Sequence, residues 1–249
     1  MDRKTRLLIA DTHILFAEAC QHMLEPEFEV VGIVTEGRSL IEAARALKPD
    51  IVVLEVSLPQ LNGLEAAAQI KRRLPRIKLV FTTANLDPEV AAEAFRQGSS
   101  GYVPKQSRSE ELVTAIRTVA RGQSYLSSLI TRETIAHLLH RPSREAFEKH
   151  MTPRQTEILQ LLAEGRTMKD AARILNIKPG TVAFHKYNMM ASLGIETNAG
   201  LIQYAMRNHI PPLQGSWPVS DHAGPKPMAI IDQVRSAKGP DSKQAAATA

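Results

Sequence analysis

The chain has almost no cysteine and no long apolar run. Its single cysteine, Cys20, excludes an internal disulfide framework in these 249 residues. No apolar stretch approaches the roughly 18 residues that cross a bilayer, and the stretch near the N-terminus stops at Asp11, too early for a secretory signal. We therefore expect a cytoplasmic protein in which Cys20 is a buried core thiol, with a reactive thiol as the alternative.

Positive and negative charges balance over most of the chain. Residues 1–140 hold 17 Lys and Arg against 17 Asp and Glu, whereas residues 141–210 hold 10 against 6. The net charge of +5 is therefore concentrated in the second segment. This distribution indicates a polyanionic partner for that segment, although the excess is modest.

Short apolar runs alternate with helical patterns over the first 120 residues. Strands that are apolar along their whole length are covered on both faces, which predicts a parallel sheet with helices on each side. We predict an α/β, flavodoxin-like, doubly wound domain with five parallel strands and a working site at their C-terminal ends. The five runs are LLIAD (7–11), FEVVGIV (28–34), IVVLE (51–55), IKLVFTT (77–83) and GYV (101–103).

Strand-like patterns are absent from residues 151–209. Thr152 before Pro153 is a typical helix start, and Gly165 and Gly194 are typical helix ends. Two short helices joined by a tight turn predict a helix-turn-helix inside a small all-α domain. Residues 211–249 contain six of the 15 prolines, and we predict that this tail is disordered. The alternative is a docking motif formed by Trp217 and MAIIDQV (228–234).

Polar side chains stand at the ends of four predicted strands. Asp11, Glu55 and Thr83 end the first, third and fourth strands, and Lys105 follows the fifth. Two acids, a hydroxyl and a lysine are suited to handling a phosphoryl group and Mg²⁺. Singly, such acids also cap turns and such a lysine is also a solvated loop charge, but the four together favour a site.

Two sets of motifs carry a family resemblance. LLIADTHILF, IVVLEVSLPQLNGLEA, LVFTTAN and GSSGYVPKQ resemble the receiver domain of bacterial two-component response regulators. MTPRQTEILQLLAEGRTMKDAARILNIKPGTVAFHKYNMMASLG resembles the LuxR-type helix-turn-helix of the NarL/FixJ branch. The resemblance implies a receiver-like domain at 1–125, a helical linker at 126–150, a DNA-binding domain at 151–210 and a tail at 211–249.

The resemblance also implies roles for the strand-end residues. In the family an Asp after the third strand accepts the phosphoryl group, and an acidic pair after the first strand holds Mg²⁺. A Ser or Thr and a Lys bind phosphoryl oxygens, and an aromatic residue near the fifth strand changes rotamer. The matching residues are Asp11, Thr83, Lys105 and Tyr102, whereas Glu55 stands in the phosphoacceptor position and Thr12 replaces the second acid.

Both departures oppose phosphorylation. A Glu carboxylate reaches roughly 1 Å farther than that of Asp, and a misplacement on this scale costs on the order of 100-fold in rate. Thr12 offers a neutral oxygen where a hard cation needs a charged one. We therefore predict a pseudo-receiver without metal or cofactor, in which the Glu55 carboxylate lies within about 4 Å of the Lys105 ammonium.

By resemblance, KPGTVAFHKYNMM is the recognition helix that enters the major groove. We expect Met189 and Leu193 in the core and modest affinity for DNA, because the helix carries few cations. For His185, a packed or capping role is the alternative. The residues predicted to face DNA are Lys178, Thr181, Val182, His185 and Lys186.

The fourth helix of the second domain carries a predicted dimer face. Ordinary packing within the domain is the alternative for these residues. They are Leu201, Ile202, Tyr204 and Ala205.

The sequence thus predicts a transcription regulator that binds double-stranded DNA as a homodimer without phosphorylation. RNA polymerase or another regulator is a further predicted partner. The alternative is an antagonist that dimerises with or sequesters another regulator. An enzyme with a strand-end nucleophile is disfavoured, because the chain lacks an Asp nucleophile and a second acid at the required places.

Overall fold

The computed structural model describes residues 3–130, 151–208 and 210. Most of the predicted linker and the whole predicted disordered tail lie outside the described residues. Within the described parts of the chain, no helix is both long enough and apolar enough to cross a membrane.

The first domain is built on one parallel sheet, as the apolar runs predict. Its strands are β1 Arg6–Ala10, β2 Glu29–Val34, β3 Ile51–Leu54, β4 Lys78–Thr83, β5 Gly101–Pro104 and β6 Tyr125–Leu126. Their order across the sheet is β2-β1-β3-β4-β5-β6, and every pair is parallel. The connection reverses direction between β1 and β3, where doubly wound sheets form a crevice at the C-terminal strand ends.

The sixth strand corrects the prediction of five. It pairs in parallel with Gly101 and Tyr102 of β5. The chain continues to pack beyond it, since Ile130 is buried in the core of this domain. The first domain therefore extends at least to Ile130 rather than ending at residue 125. A two-residue strand is too short to produce a recognisable alternation of polar and apolar residues.

Helices cover both faces of the sheet and enclose two apolar cores. One core lies between the sheet and the second, third and fourth helices, and the other lies between the sheet and the first and fifth helices. Cys20 is buried in the second core, where burial and the nearby Asp11 charge raise the pKa of its thiol to about 12. The prediction of a core thiol is confirmed. The helices are α1 Ile14–Leu24, α2 Gly37–Leu47, α3 Gly63–Arg73, α4 Pro88–Arg96 and α5 Ser109–Ala120.

The second domain contains four helices around its own apolar core. The Thr152 side chain accepts a hydrogen bond from the Gln155 backbone N–H, and the Gln155 side chain accepts one from the Thr152 backbone N–H. Pro153 occupies the first turn. Gly194 ends the third of these helices in the left-handed conformation at φ +66°. The predicted starts and ends are thus confirmed. The helices are α6 Pro153–Ala163, α7 Met168–Leu175, α8 Pro179–Leu193 and α9 Asn198–Arg207.

Helix α6 contacts the loop that follows β3 through a polar cluster, the interdomain clasp. It consists of the side chains of Gln160 and Glu164 and the backbone of Leu58, Gln60 and Asn62. Gln160 is fully buried. Its Oε1 accepts a hydrogen bond from the Asn62 backbone N–H at 2.7 Å, and its Nε2 donates one to the Leu58 carbonyl at 2.9 Å. Glu164 Oε1 accepts from the Gln60 backbone N–H at 2.9 Å and from Gln160 Nε2 at 2.8 Å.

A second contact flanks the clasp on the same helix. Glu157 Oε2 accepts from Arg38 of α2 at 2.9 Å and from Arg154 at 2.8 Å. Its other oxygen accepts from Gln69 of α3 at 3.1 Å. One carboxylate of the second domain thus joins two helices of the first.

Substitution Gln160→Leu should weaken the contact between the domains. It leaves the Asn62 N–H and the Leu58 carbonyl without partners, and each unsatisfied buried group costs about 1–3 kcal/mol. The exchange of the Gln60 and Asn62 amide hydrogens should therefore accelerate roughly ten- to a hundredfold in a hydrogen-exchange experiment. Gln123→Leu, the same change at an exposed loop position, is the control and should change neither rate. Unchanged protection of both amides in Gln160→Leu would contradict the clasp.

Glu164→Gln should raise thermal stability at neutral pH. Burial raises the pKa of the Glu164 carboxyl above its usual range, so the folded state favours the protonated form. Its contribution to stability is therefore greatest below the unfolded pKa of about 4.3 and is lost as pH rises through the raised value. Gln keeps the accepting oxygen without the charge. Melting temperatures of the two proteins should differ at pH 7 and converge near pH 4, whereas a lower melting temperature for Glu164→Gln at pH 7 would contradict this account.

Candidate functional site

The first candidate site is a buried carboxylate pair at the ends of β1 and β3. The Glu55 backbone N–H donates to the Ala10 carbonyl at 2.9 Å, which places Glu55 beside Asp11. The two acidic residues are 3% and 1% exposed, respectively. Like charges this deep in a protein require a compensating cation.

Lys105 supplies that cation. Its Nζ lies 2.6 Å from Asp11 Oδ2 and 2.8 Å from Glu55 Oε2. The Asp11 contact is an ion pair only, since Asp11 Oδ2 has no hydrogen-bond partner in the described part of the chain. The ammonium also lies 4.6 Å from the centre of the Phe16 ring, a favourable cation–π distance. The prediction that Glu55 and Lys105 lie within about 4 Å is confirmed.

His13 is a member of this site that the sequence analysis missed. Its backbone N–H donates to Asp11 Oδ1 at 2.9 Å, and its Nδ1 lies 3.1 Å from the same oxygen. Nδ1 is also 3.4 Å from Lys105 Nζ and 3.3 Å from the Thr12 hydroxyl. The signal was available, because His13 follows the predicted strand end by two residues.

Thr83 and Tyr102 lie on the neighbouring strands but make other contacts. The Thr83 hydroxyl accepts from the Asn85 backbone N–H at 3.2 Å. The Tyr102 ring is fully buried, and its hydroxyl donates to the Asn85 carbonyl at 2.9 Å. Burial, with the charges of Glu55 and Asp87, raises the pKa of Tyr102 far above its usual range. Asn85 therefore joins these two side chains.

The donor set does not fit the Mg²⁺ ion that the family resemblance implies. Mg²⁺ needs oxygen ligands in near-octahedral geometry. Asp11 and Glu55 each have one oxygen within 2.8 Å of an ammonium, and Thr12 stands where a further carboxylate would be needed. In the described residues, no group of three or more His, Cys, Asp or Glu side chains could hold a metal ion.

The second candidate site is α8, the predicted recognition helix, where the structure buries two of the predicted DNA contacts. Val182 is 0% exposed and belongs to the core of the second domain. Lys186 is 9% exposed, and its ammonium lies 5.2 Å from the centre of the Tyr187 ring. Val182, Lys186 and Met189 recur at helical spacing and turn inward together.

The outward face of α8 carries different residues from those predicted. Phe184 is 62% exposed and Tyr187 is 60% exposed. The predicted contacts Lys178 and Thr181 are exposed, whereas His185 is half-buried with its ring 5.7 Å from that of Phe184. The spacing of Val182 and Met189 could have identified the two aromatic residues, because positions between them at 184 and 187 must face outward.

The predicted dimer face on α9 also needs correction. Leu201 is 2% exposed and Ala205 is 0% exposed, so both belong to the core of their own domain. Tyr204 packs against that core. Ile202 remains exposed, and Met206 joins it one turn later.

Comparisons with known families identify both domains. Residues 7–117 match the family described as response regulator receiver domain. Residues 149–205 match the family described as bacterial regulatory proteins, luxR family. The order of the two matches is the one that the motifs predict.

Two relatives align with this chain over nearly their whole length. The transcriptional regulatory protein MctR of Rhizobium johnstonii is 31% identical over 209 residues, which cover 83% of this chain and 95% of MctR. The transcriptional regulatory protein LiaR of Bacillus subtilis is 30% identical, over 82% of this chain and 98% of LiaR. These relatives are regulators of transcription rather than enzymes.

Solved structures agree with the fold. The RcsB response regulator of Salmonella typhimurium aligns with a TM-score of 0.56 at 24% identity, over 83% of this chain and 98% of RcsB. A LuxR-family two-component response regulator from Aurantimonas aligns with a TM-score of 0.52 at 28% identity, over 56% of this chain and 100% of that one. The chain therefore belongs to the family of response regulators that join a receiver domain to a LuxR-type helix-turn-helix, and it is a regulator of transcription.

Proposed function

We propose that this protein regulates transcription in the cytoplasm by binding promoter DNA as a homodimer, and that phosphorylation does not control the binding. The observation that carries the proposal is the Lys105 ammonium, which lies between the carboxylates of Asp11 and Glu55. The site at the strand ends thus contains its own cation. A bound metal ion would have to displace it.

The acceptor position supports the same proposal. Besides its ion pair, Glu55 accepts a hydrogen bond from the Ser57 backbone N–H through Oε1 at 3.2 Å. Both oxygens of the carboxylate are therefore engaged, and the residue is 3% exposed. A nucleophile in this state would have to break both contacts before it attacked phosphorus in line.

The recognition helix supports DNA binding without a prior release step. The aromatic side chains of Phe184 and Tyr187 remain exposed while the interdomain clasp is formed through α6. In this arrangement the described part of the first domain does not cover the outward face of α8. An antagonist that only sequesters another regulator would not need such an exposed recognition helix.

Exposed apolar residues on α9 support self-association. Ile202 and Met206 lie four residues apart, so they occupy one side of the helix and form a small apolar surface. Pairing two copies would double the number of DNA contacts, which compensates for the few cations of α8. RNA polymerase or another regulator is the further partner that a regulator of this type would contact on DNA.

A titration of promoter DNA with and without acetyl phosphate tests the proposal directly. The untreated protein should bind, and the donor should leave the affinity unchanged, because Glu55 is held by Lys105 and Ser57. Affinity should fall steeply between two salt concentrations, as counterion release requires. Binding that appears only after treatment with the donor would show that the protein is a phosphorylation switch.

The double substitution Thr12→Asp with Glu55→Asp should create a phosphorylatable site. Thr12→Asp supplies the missing metal ligand, and Glu55→Asp shortens the acceptor side chain by one methylene. The shorter side chain should raise the rate of phosphorylation on the order of 100-fold. The measurement is Mg²⁺-dependent labelling by radioactive acetyl phosphate. The wild-type protein and the single change Thr12→Asp should stay unlabelled, and labelling of the wild type would contradict the proposal.

Lys105→Met should destabilise the protein strongly. Removing the ammonium leaves two buried carboxylates uncompensated, and breaking a buried ion pair in this way costs about 3–5 kcal/mol. Glu55→Gln is the matched comparison and should cost less, because the pair between Lys105 and Asp11 remains. Urea unfolding at pH 7 measures both variants. Equal effects would show that Lys105 is not the compensating cation.

A further inference from the structure

Two aromatic side chains project from α8 without a packing role. Phe184 and Tyr187 are among the most exposed large apolar residues in the described part of the chain. The inward face of α8 is already occupied by Val182 and Met189, which are fully buried. Exposed aromatic residues that the core does not need mark a surface that contacts another molecule.

The two rings form one surface. Residues three apart on a helix are neighbours, with Cβ atoms about 5–6 Å apart. The His185 ring contacts Phe184 edge-on, with an angle of 70° between the ring planes. The Lys186 ammonium lies near the Tyr187 ring. Each ring thus has one neighbouring side chain and is otherwise open to a binding partner.

The residues around the two rings are small enough for another molecule to approach α8 closely. Gly180, one turn before Phe184, is exposed, and a Cβ built there would meet nothing within 4 Å. Ala183 is half-buried, and Thr181 is exposed and short. Between Lys178 and Tyr187, the exposed residues other than Lys178 and the two rings are Pro179, Gly180 and Thr181, and none of them is long.

The chemistry of Phe184 restricts what it can read in the major groove. Phenylalanine neither donates nor accepts ordinary hydrogen bonds, so it cannot distinguish bases by their polar edges. The apolar group that a base pair presents in the major groove is the C5-methyl of thymine. Tyr187 can make the same contact with its ring and can donate its hydroxyl to a phosphate or a base.

We propose that Phe184 and Tyr187 are specificity-determining residues, and that they read thymine methyl groups in the major groove of double-stranded DNA. The proposal rests on the proposed function, since it assumes that α8 enters the groove. It names the sequence class that the regulator selects, which is sites with thymine at the positions facing the two rings. The buried Val182 has no part in this reading.

Replacing thymine by uracil tests the proposal, because uracil lacks only the methyl group. The full-length protein selects binding duplexes from a random pool, and the best duplex is then synthesised with deoxyuridine in place of thymidine. Each lost methyl contact should weaken binding about fourfold, the cost of exposing one CH₂-sized group. When Phe184 alone reads a methyl group in each subunit of a dimer, the loss should be about 15-fold, and when Tyr187 reads one as well, about 200-fold.

Two substitutions assign the effect to Phe184. Phe184→Ala should bring the ratio of thymine to uracil affinity close to one at the positions that this residue reads. Phe184→Leu, the matched control, keeps an apolar side chain and should retain most of the preference. Because Phe184 is mainly exposed, both variants should fold, which circular dichroism confirms.

The outcomes separate this proposal from the proposed function. Binding of equal strength to thymine and uracil duplexes overturns the thymine reading while leaving DNA binding intact. A full thymine preference in Phe184→Ala also overturns the thymine reading. So does a Phe184→Ala variant that binds both duplexes as the wild type does and loses only the binding of a protein partner. Failure to bind any duplex contradicts the proposed function, and the thymine reading with it.

Discussion

The pair of ion contacts made by Lys105 is the interaction on which the first domain depends. Two carboxylates lie at adjacent strand ends, where water is nearly excluded. Their mutual repulsion and their desolvation would oppose folding if the ammonium did not stand within 2.8 Å of each. The longer side chain of Glu55 allows its carboxylate to meet that ammonium while the backbone stays in register with β1. Under the proposed function, Glu55 in the acceptor position makes the site self-contained and unreactive towards a phosphoryl donor.

The same segment of chain connects this site to the second domain. The loop after Glu55 returns tightly onto itself, and a Cβ at Gly63 would lie 2.1 Å from the Glu55 carbonyl oxygen. A Cβ at Gly37 would lie 1.8 Å from the Leu61 carbonyl oxygen, so α2 presses on the loop as well. On its outer side the loop meets Gln160. A fixed carboxylate, a loop restrained by two glycines and a buried glutamine thus form one continuous connection between the domains.

The helices and strands could be predicted from the sequence because the signals for each lie within a few neighbouring residues. Buried parallel strands are continuous apolar runs, and the start of α6 carries its own signals in Thr152 and Pro153. The strand-end cluster followed from topology alone, since the C-terminal ends of parallel strands meet at one edge. The two-residue β6 gave no pattern. The clasp could not be predicted, because Gln160 contacts residues about 100 positions away.

The outward face of α8 was misassigned for a geometric reason. Consecutive helical residues differ by about 100° around the axis, so an error of one or two positions exchanges core for surface. Lys186 strengthened the error, because a lysine is rarely expected to be buried. Its stem packs inward while its ammonium stays near Tyr187, as long cationic side chains often do.

The two sites together restrict how this regulator is controlled under the proposed function. A signal shifts a two-state equilibrium only through its different affinity for the two states. A phosphoryl donor has little to bind where Lys105 already neutralises the acidic site, and a recognition helix that is already exposed leaves little to release. The remaining variable is the amount of paired protein. When DNA binding requires two copies, occupancy of a promoter rises more steeply than in proportion to the concentration of the protein. Control of its synthesis, or competition for the apolar side of α9, would then serve the purpose that phosphorylation serves in other members of the family.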